Sequence, residues 1–139
     1  VASDTARFST AFAQRGLIAE HGISWMLPRL VGLSNALDLL FSARLFDAGE
    51  ALQMGLVNHV EPAEELMSQV RRYATQLATT VSPRSLRVIK RQVYPALFQD
   101  LGEAIETGNE EMLDSFPSED FAEGIAHFLE KRPPRFTGR

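Results

Sequence analysis

The segment ARLFDAGEALQMGLVNHV, Ala43 to Val60, carries the clearest local signal in the chain. Asp47 stands ahead of a short helical run and Glu50 follows three residues on, the D-x-x-E variant of a capping box. Gly55 is a stop residue for that helix. LVNHV then reads as a short strand.

Working upstream, NALDLLFSA reads as a buried helix, with Ala36, Leu37, Leu39, Leu40 and Phe41 apolar and Ser34 as its cap. Before it lies QRGLIAEHGISWMLPRLVG, Gln14 to Gly32, with a single carboxylate, Glu20. A helix is expected from Gly22 to Gly32, short or kinked because it contains Pro28. VASDTARFSTAF opens the chain as a short strand and turn, with no cap or polar leader before it. Downstream, Pro62 marks a helix start, with Leu66, Val70, Tyr73 and Leu77 at helical spacing. Ser82 and Pro83 open the next helix, LGEAIETGNEEMLDSF forms another, and Ser118 caps a last one that stops at Pro133. The sequence predicts six or seven helices and about two short strands, too few strands for a sheet that stands unsupported.

The chain has 139 residues, enough for a core, and no apolar run long enough to span a membrane. It has no cysteine, which excludes disulfides and thiolate zinc sites. No secretory signal opens it, so the cytoplasm is the expected location. The net charge of −4 argues against nucleic-acid binding. That total hides an asymmetry: Gln92 to Glu130 holds ten acids and no Lys or Arg. Basic residues gather at Arg84, Arg87, Lys90 and Arg91, and again at Lys131, Arg132, Arg135 and Arg139. Either cluster is a solvated face or a seat for a small anionic ligand.

ARF, GLIAEHGISWMLPRLVG, FDAGEALQMGLVNHVEP and SEDFAEGIAHFLEKRPPRFTG, taken together, resemble the enoyl-CoA hydratase/isomerase, or crotonase, superfamily. The resemblance runs over essentially the whole chain and is most specific in Ala43–Val60. It implies an α/β crotonase (ClpP-like) fold, of which this chain is the C-terminal part, predominantly helical with a few short strands. Residues 1–60 would be the end of a β–β–α spiral core carrying the active-site segment. Residues 61–139 would be a C-terminal helical trimerisation region. Members are longer, and their N-terminal half supplies two backbone N–H groups that polarise a thioester carbonyl. The expected partners are therefore an acyl-CoA substrate, the protein's own N-terminal half, and further copies in a homotrimer or hexamer. No cofactor is implied, CoA being part of the substrate.

The resemblance also bears on the chemistry. Hydratases of the family use two glutamates, and the one that falls in this half aligns with Arg15, which cannot act as a base near neutral pH. Glu20, ahead of Pro28-Arg29-Leu30, matches instead the single glutamate of a group of isomerases and the aspartate of the related aryl-CoA dehalogenases. It is the expected catalytic residue, set among apolar neighbours, and one carboxylate can carry a proton from C2 to C4. Trp25 and Met26 are expected as walls of the acyl pocket. Phe128 and Lys131, on the last helix, match a pocket-lining Phe and a Lys near the nucleotide phosphate. Two other readings stay open: a non-catalytic acyl-CoA binder, motivated by Arg15, and a freestanding helical interaction module.

Overall fold

The computed structural model describes residues 1–139. They fall into two compact units, 1–71 and 72–139. In the first unit, strands β1 (Ala2–Ser3) and β4 (Val60–Glu61) pair in parallel, Ala2 opposite Val60. Strands β2 (Arg7–Phe8) and β3 (Phe46–Asp47) pair antiparallel, Phe8 opposite Phe46, with their rings stacked at 5.5 Å. Helices α1 (Ile23–Val31), α2 (Leu33–Ser42) and α3 (Ala48–Gln53) complete it. Leu27 and Val31 are one turn apart on α1, and Ala36 and Leu39 occupy one face of α2. With Phe46 and Ala51 they form the buried core.

The helix ends explain where sequence and structure differ. Helix α2 begins at Leu33, so Ser34 lies inside it and is not its cap. Gly32 takes the cap position at φ 79 and ψ 160, a conformation that only glycine adopts readily. Asp47 does cap α3, accepting the Glu50 N–H at 2.9 Å. The reciprocal half of the box is absent because Arg44 captures the Glu50 carboxylate, with Nη1 2.9 Å from Oε2. The same guanidinium holds Asp38, Nη2 to Oδ2, at 2.9 Å. Arg44 thereby keeps the Glu50 carboxyl below its ordinary range. LVNHV is not a strand throughout: the Leu56 and Val57 N–H groups both turn back to the Ala51 carbonyl, at 2.9 and 3.3 Å. Only Val60 and Glu61 are extended.

Helix α4 (Leu66–Thr80) starts later than Pro62. Asp4 Oδ1 accepts the Ala63 N–H at 3.1 Å, which ties that stretch to β1, and the Glu65 and Leu66 N–H groups close a turn on the Pro62 carbonyl. The division between the units falls inside α4.

The second unit contains α5 (Pro83–Ala96), α6 (Leu101–Ser115) and α7 (Glu119–Glu130). Ser82 and Ser118 cap α5 and α7, each accepting an N–H three residues on. A full capping box does exist, at Asp100 and Glu103 on α6. At the centre lies Asp120, 4% exposed. Its carboxylate accepts Ser82 Oγ–H at 2.5 Å and the backbone N–H groups of Thr137 and Gly138 at 2.8 and 3.0 Å. Burial alone would raise this carboxyl, but those donors hold it below its ordinary range. The Asp120 N–H in turn donates to the Arg139 carbonyl at 2.9 Å.

Candidate active site

In the first unit a cavity of about 490 Å³ opens between β2, the segment that follows it, α1 and α2. That volume is in the range of small-molecule sites. Phe8, Phe12, Ile23, Leu27, Leu39, Phe46 and Leu56 give it an apolar wall. Glu20 is the one carboxylate among the lining residues.

The local sequence explains how Glu20 arrives there. Gly16, at φ 69, ends the single 3-10 turn Ala13–Arg15. His21 and Gly22 are both left-handed, at φ 55 and 77, and Gly22 caps α1. This double reversal brings the Ile23 N–H to the Glu20 carbonyl at 3.0 Å and sets the Glu20 side chain at the cavity rim. The carboxylate is 39% exposed, so the expected apolar surround is partial. It accepts no hydrogen bond from the chain, and His21 Nε2 lies 3.6 Å from Oε2.

The other polar groups at the cavity are committed elsewhere. Ser9 Oγ–H donates to the Ala43 carbonyl at 2.8 Å and Thr10 Oγ1–H to the Leu39 carbonyl at 2.9 Å, so both close the end of α2. Arg7 Nη1 donates to the Ala6 carbonyl at 3.0 Å. What remains for proton chemistry is a carboxylate with free lone pairs beside an apolar space, an arrangement suited to a general base acting on a carbon acid.

Trp25 and Met26 are not among the side chains lining this cavity. Ile23 and Leu27, four residues apart on α1, are the residues of that helix that line it. Trp25 lies under the Arg29 guanidinium at 3.9 Å, and Arg29 Nη1 donates to its carbonyl. Arg15 is exposed in the 3-10 turn and does not reach the cavity.

Phe128 and Lys131 belong to the second unit. Phe128 is 77% exposed and borders a groove of about 550 Å³ with Phe121, Ile125 and Phe136. Lys131 is left-handed, at φ 52, and ends α7. The neighbouring Arg132 is taken up internally: Nη1 and Nη2 fork onto Glu123 at 2.5 and 2.7 Å, and Nε reaches Glu130. That fork lowers the Glu123 carboxyl to about 2. Lys131 is left as the available cation beside Phe128 in a second hollow of about 460 Å³. No group of three or more His, Asp or Glu side chains is placed to hold a metal ion, and no helix is long and apolar enough to cross a membrane.

Sequence reasoning missed Phe8, Phe12, Thr10 and Phe46 as parts of the cavity. Phe8 and Phe46 meet only through the β2–β3 pairing, which no local signal announces. A single expected strand at ARF was the available clue.

Residues 1–139 match throughout the family described as Enoyl-CoA hydratase/isomerase. A probable enoyl-CoA hydratase of Mycobacterium bovis is 36% identical over 139 residues, which are 100% of this chain and 54% of that protein. A 1,2-epoxyphenylacetyl-CoA isomerase of Escherichia coli is 31% identical over 139 residues, 100% of this chain and 53% of that protein. Among solved structures, a probable enoyl-CoA hydratase/isomerase from Mycobacterium abscessus superposes with a TM-score of 0.93 at 31% identity, covering 99% of this chain and 54% of that one. The chain thus spans about half the length of these relatives.

Proposed function

The chain belongs to the enoyl-CoA hydratase/isomerase family and has its crotonase fold, and on that premise we propose that the protein moves a proton on an enoyl-CoA thioester, with Glu20 as the carrier. Glu20 takes a proton from C2 of a 3-enoyl-CoA. The C–H electron pair enters a dienolate whose negative charge rests on the thioester oxygen. Glu20 then returns the proton at C4, and the double bond comes to lie between C2 and C3. Donors for the thioester oxygen would come from outside residues 1–139, as the family resemblance implies. The substrate brings its own CoA, and no further cofactor takes part.

The observation that carries this reading is that Glu20 alone among the carboxylates borders the apolar cavity, with its oxygens uncommitted. A double-bond shift is favoured over hydration because the family resemblance puts Arg15 in the place of the hydratase glutamate, and Arg15 is exposed and absent from the cavity lining. The same arginine keeps a second reading in play, an acyl-CoA binder without turnover. Lys131 would meet the CoA phosphates, and Phe128 would lie against the ligand or a neighbouring copy in a trimer.

The test uses the full-length protein with 3-enoyl-CoA and 2-enoyl-CoA substrates. Glu20→Gln keeps the side-chain shape and removes the base. Isomerisation of 3-enoyl-CoA should fall by about 10²–10⁴-fold with little change in binding. A parent protein that binds both thioesters and converts neither would establish the binder. Near-parental turnover by Glu20→Gln would move the chemistry to another residue.

A further inference from the structure

The pair formed by Glu20 and His21 has a second property that the proton-transfer reading does not use. Both residues line the mouth of the cavity, and His21 Nε2 lies 3.6 Å from Glu20 Oε2. The Glu20 side chain is 39% exposed and the His21 side chain 87%, so the imidazole is the member of the pair more open to bulk water. His21 adopts φ 55, a left-handed conformation that glycine enters far more readily than residues with a side chain. Arg7 is the other charged residue on this cavity, and its Nη1 donates to the Thr5 and Ala6 carbonyls, leaving His21 as the titratable neighbour of Glu20.

We propose that His21 is the group through which the proton held by Glu20 exchanges with solvent. The inference rests on the proton-carrier reading of Glu20 and adds the fate of the proton. After Glu20 removes the C2 proton, its carboxylic acid has two outlets. It can deliver the proton to C4, or pass it from Oε2 to His21 Nε2 once the exposed imidazole closes the 3.6 Å separation to hydrogen-bond distance. The second transfer leaves a carboxylate beside an imidazolium, in the tautomer whose original hydrogen is on Nδ1. The exposed imidazolium turns to water and exchanges its Nε2 proton there, so that the proton it hands back to the Glu20 carboxylate is a solvent proton. No electrons or groups are exchanged with a further reactant. Imidazole is the side chain fitted for giving and taking protons near neutral pH. His21 does not touch the reacting carbons on this account; it acts through Glu20 and sets how much of the substrate hydrogen is retained in the product.

The experiment uses the full-length protein and 3-enoyl-CoA deuterated at C2, in ordinary water. The parent should lose C2-derived deuterium to solvent during turnover. His21→Gly removes the imidazole at a backbone position glycine occupies without strain, and His21→Asn keeps a residue tolerant of left-handed geometry. In both variants the product should retain several-fold more deuterium, now at C4. Free imidazole added to His21→Gly should restore the loss to solvent. Unchanged label loss in both variants would overturn the proposal. So would a general loss of turnover that imidazole does not restore, since that is the signature of a structural residue. Glu20→Gln run alongside separates the two readings. If it is inactive while the His21 variants exchange like the parent, only the relay fails; if it turns over normally, the role of Glu20 fails with it.

Discussion

Replacing Asp120 by Asn tests the account of the second unit most directly. The carboxylate receives Ser82 Oγ–H, Thr137 N–H and Gly138 N–H, and lies almost wholly out of water. An amide of the same size offers one oxygen and one NH₂ group, so at least one of those buried donors meets another donor. Hydrogen bonds to charged groups contribute about 1.5–3 kcal/mol each, and a buried donor left without a partner costs about 1–3 kcal/mol. The expected loss is about 3 kcal/mol, allowing one charged bond lost and the others weakened. For a protein about twice the length of this chain each kcal/mol shifts melting by roughly 2–4 °C, so the transition should fall by about 6–12 °C. The measurement is thermal unfolding of the full-length protein, followed by circular dichroism. The pH dependence adds an independent check. Hydrogen bonding holds the Asp120 carboxyl below its ordinary value. Its contribution is therefore complete above about pH 4 and is lost as pH falls through the lower folded-state value. The parent and Asp120→Asn should converge in stability on acidification. Ser82→Ala and Asp120→Asn should also be non-additive in a double-mutant cycle, because they remove the same bond. A variant that melts with the parent at neutral pH would refute the reasoning.

Other expectations follow from single contacts. Glu123→Gln should remove part of the acid sensitivity of the parent: with the Glu123 carboxyl lowered to about 2 by Arg132, its contribution is present through the neutral range and lost as pH drops from the usual carboxylate range toward that value. Acid-titrated unfolding of the two proteins measures it. Leu39→Ala deletes the largest fully buried side chain and one wall of the cavity, and should lose about 2–5 kcal/mol in denaturant unfolding together with weaker acyl-CoA binding. Lys131→Ala should weaken acyl-CoA binding more at low salt than at high salt, because the attraction to phosphate is screened; equal titrations across salt would make Lys131 a surface residue only.

The parts of this fold legible in the sequence are those whose cause lies within a few residues. Gly22, Gly32 and Gly55 mark helix ends because the left-handed or extended backbone needed there is a local matter. Ser82-Pro83 and Ser118 mark helix starts for the same reason. Pro28 was an ambiguous sign, and α1 accommodates it inside a nine-residue helix. The Asp47–Glu50 motif misled in its second half, because Arg44, six residues before Glu50, competes for the carboxylate. Asp120 gave no signal, since its partners lie 17, 18 and 38 residues away. For the site, Glu20 was visible as a lone acid in an apolar stretch. The wall around it was not, because Phe8, Leu39 and Phe46 converge only after β2 pairs with β3 and α2 packs beside them.

The bonds at Asp120 also have an order in time. Ser82 and Asp120 emerge from the ribosome well before Thr137 and Gly138, whose N–H groups complete the carboxylate shell. Until those residues emerge, a nascent second unit carries a carboxylate that is only partly solvated by protein and cannot be buried cheaply. A chain made only as far as residue 136 should therefore leave this unit open and protease-sensitive. Residues 137 and 138 close it, because their N–H groups complete the shell that lets the Asp120 carboxylate leave water.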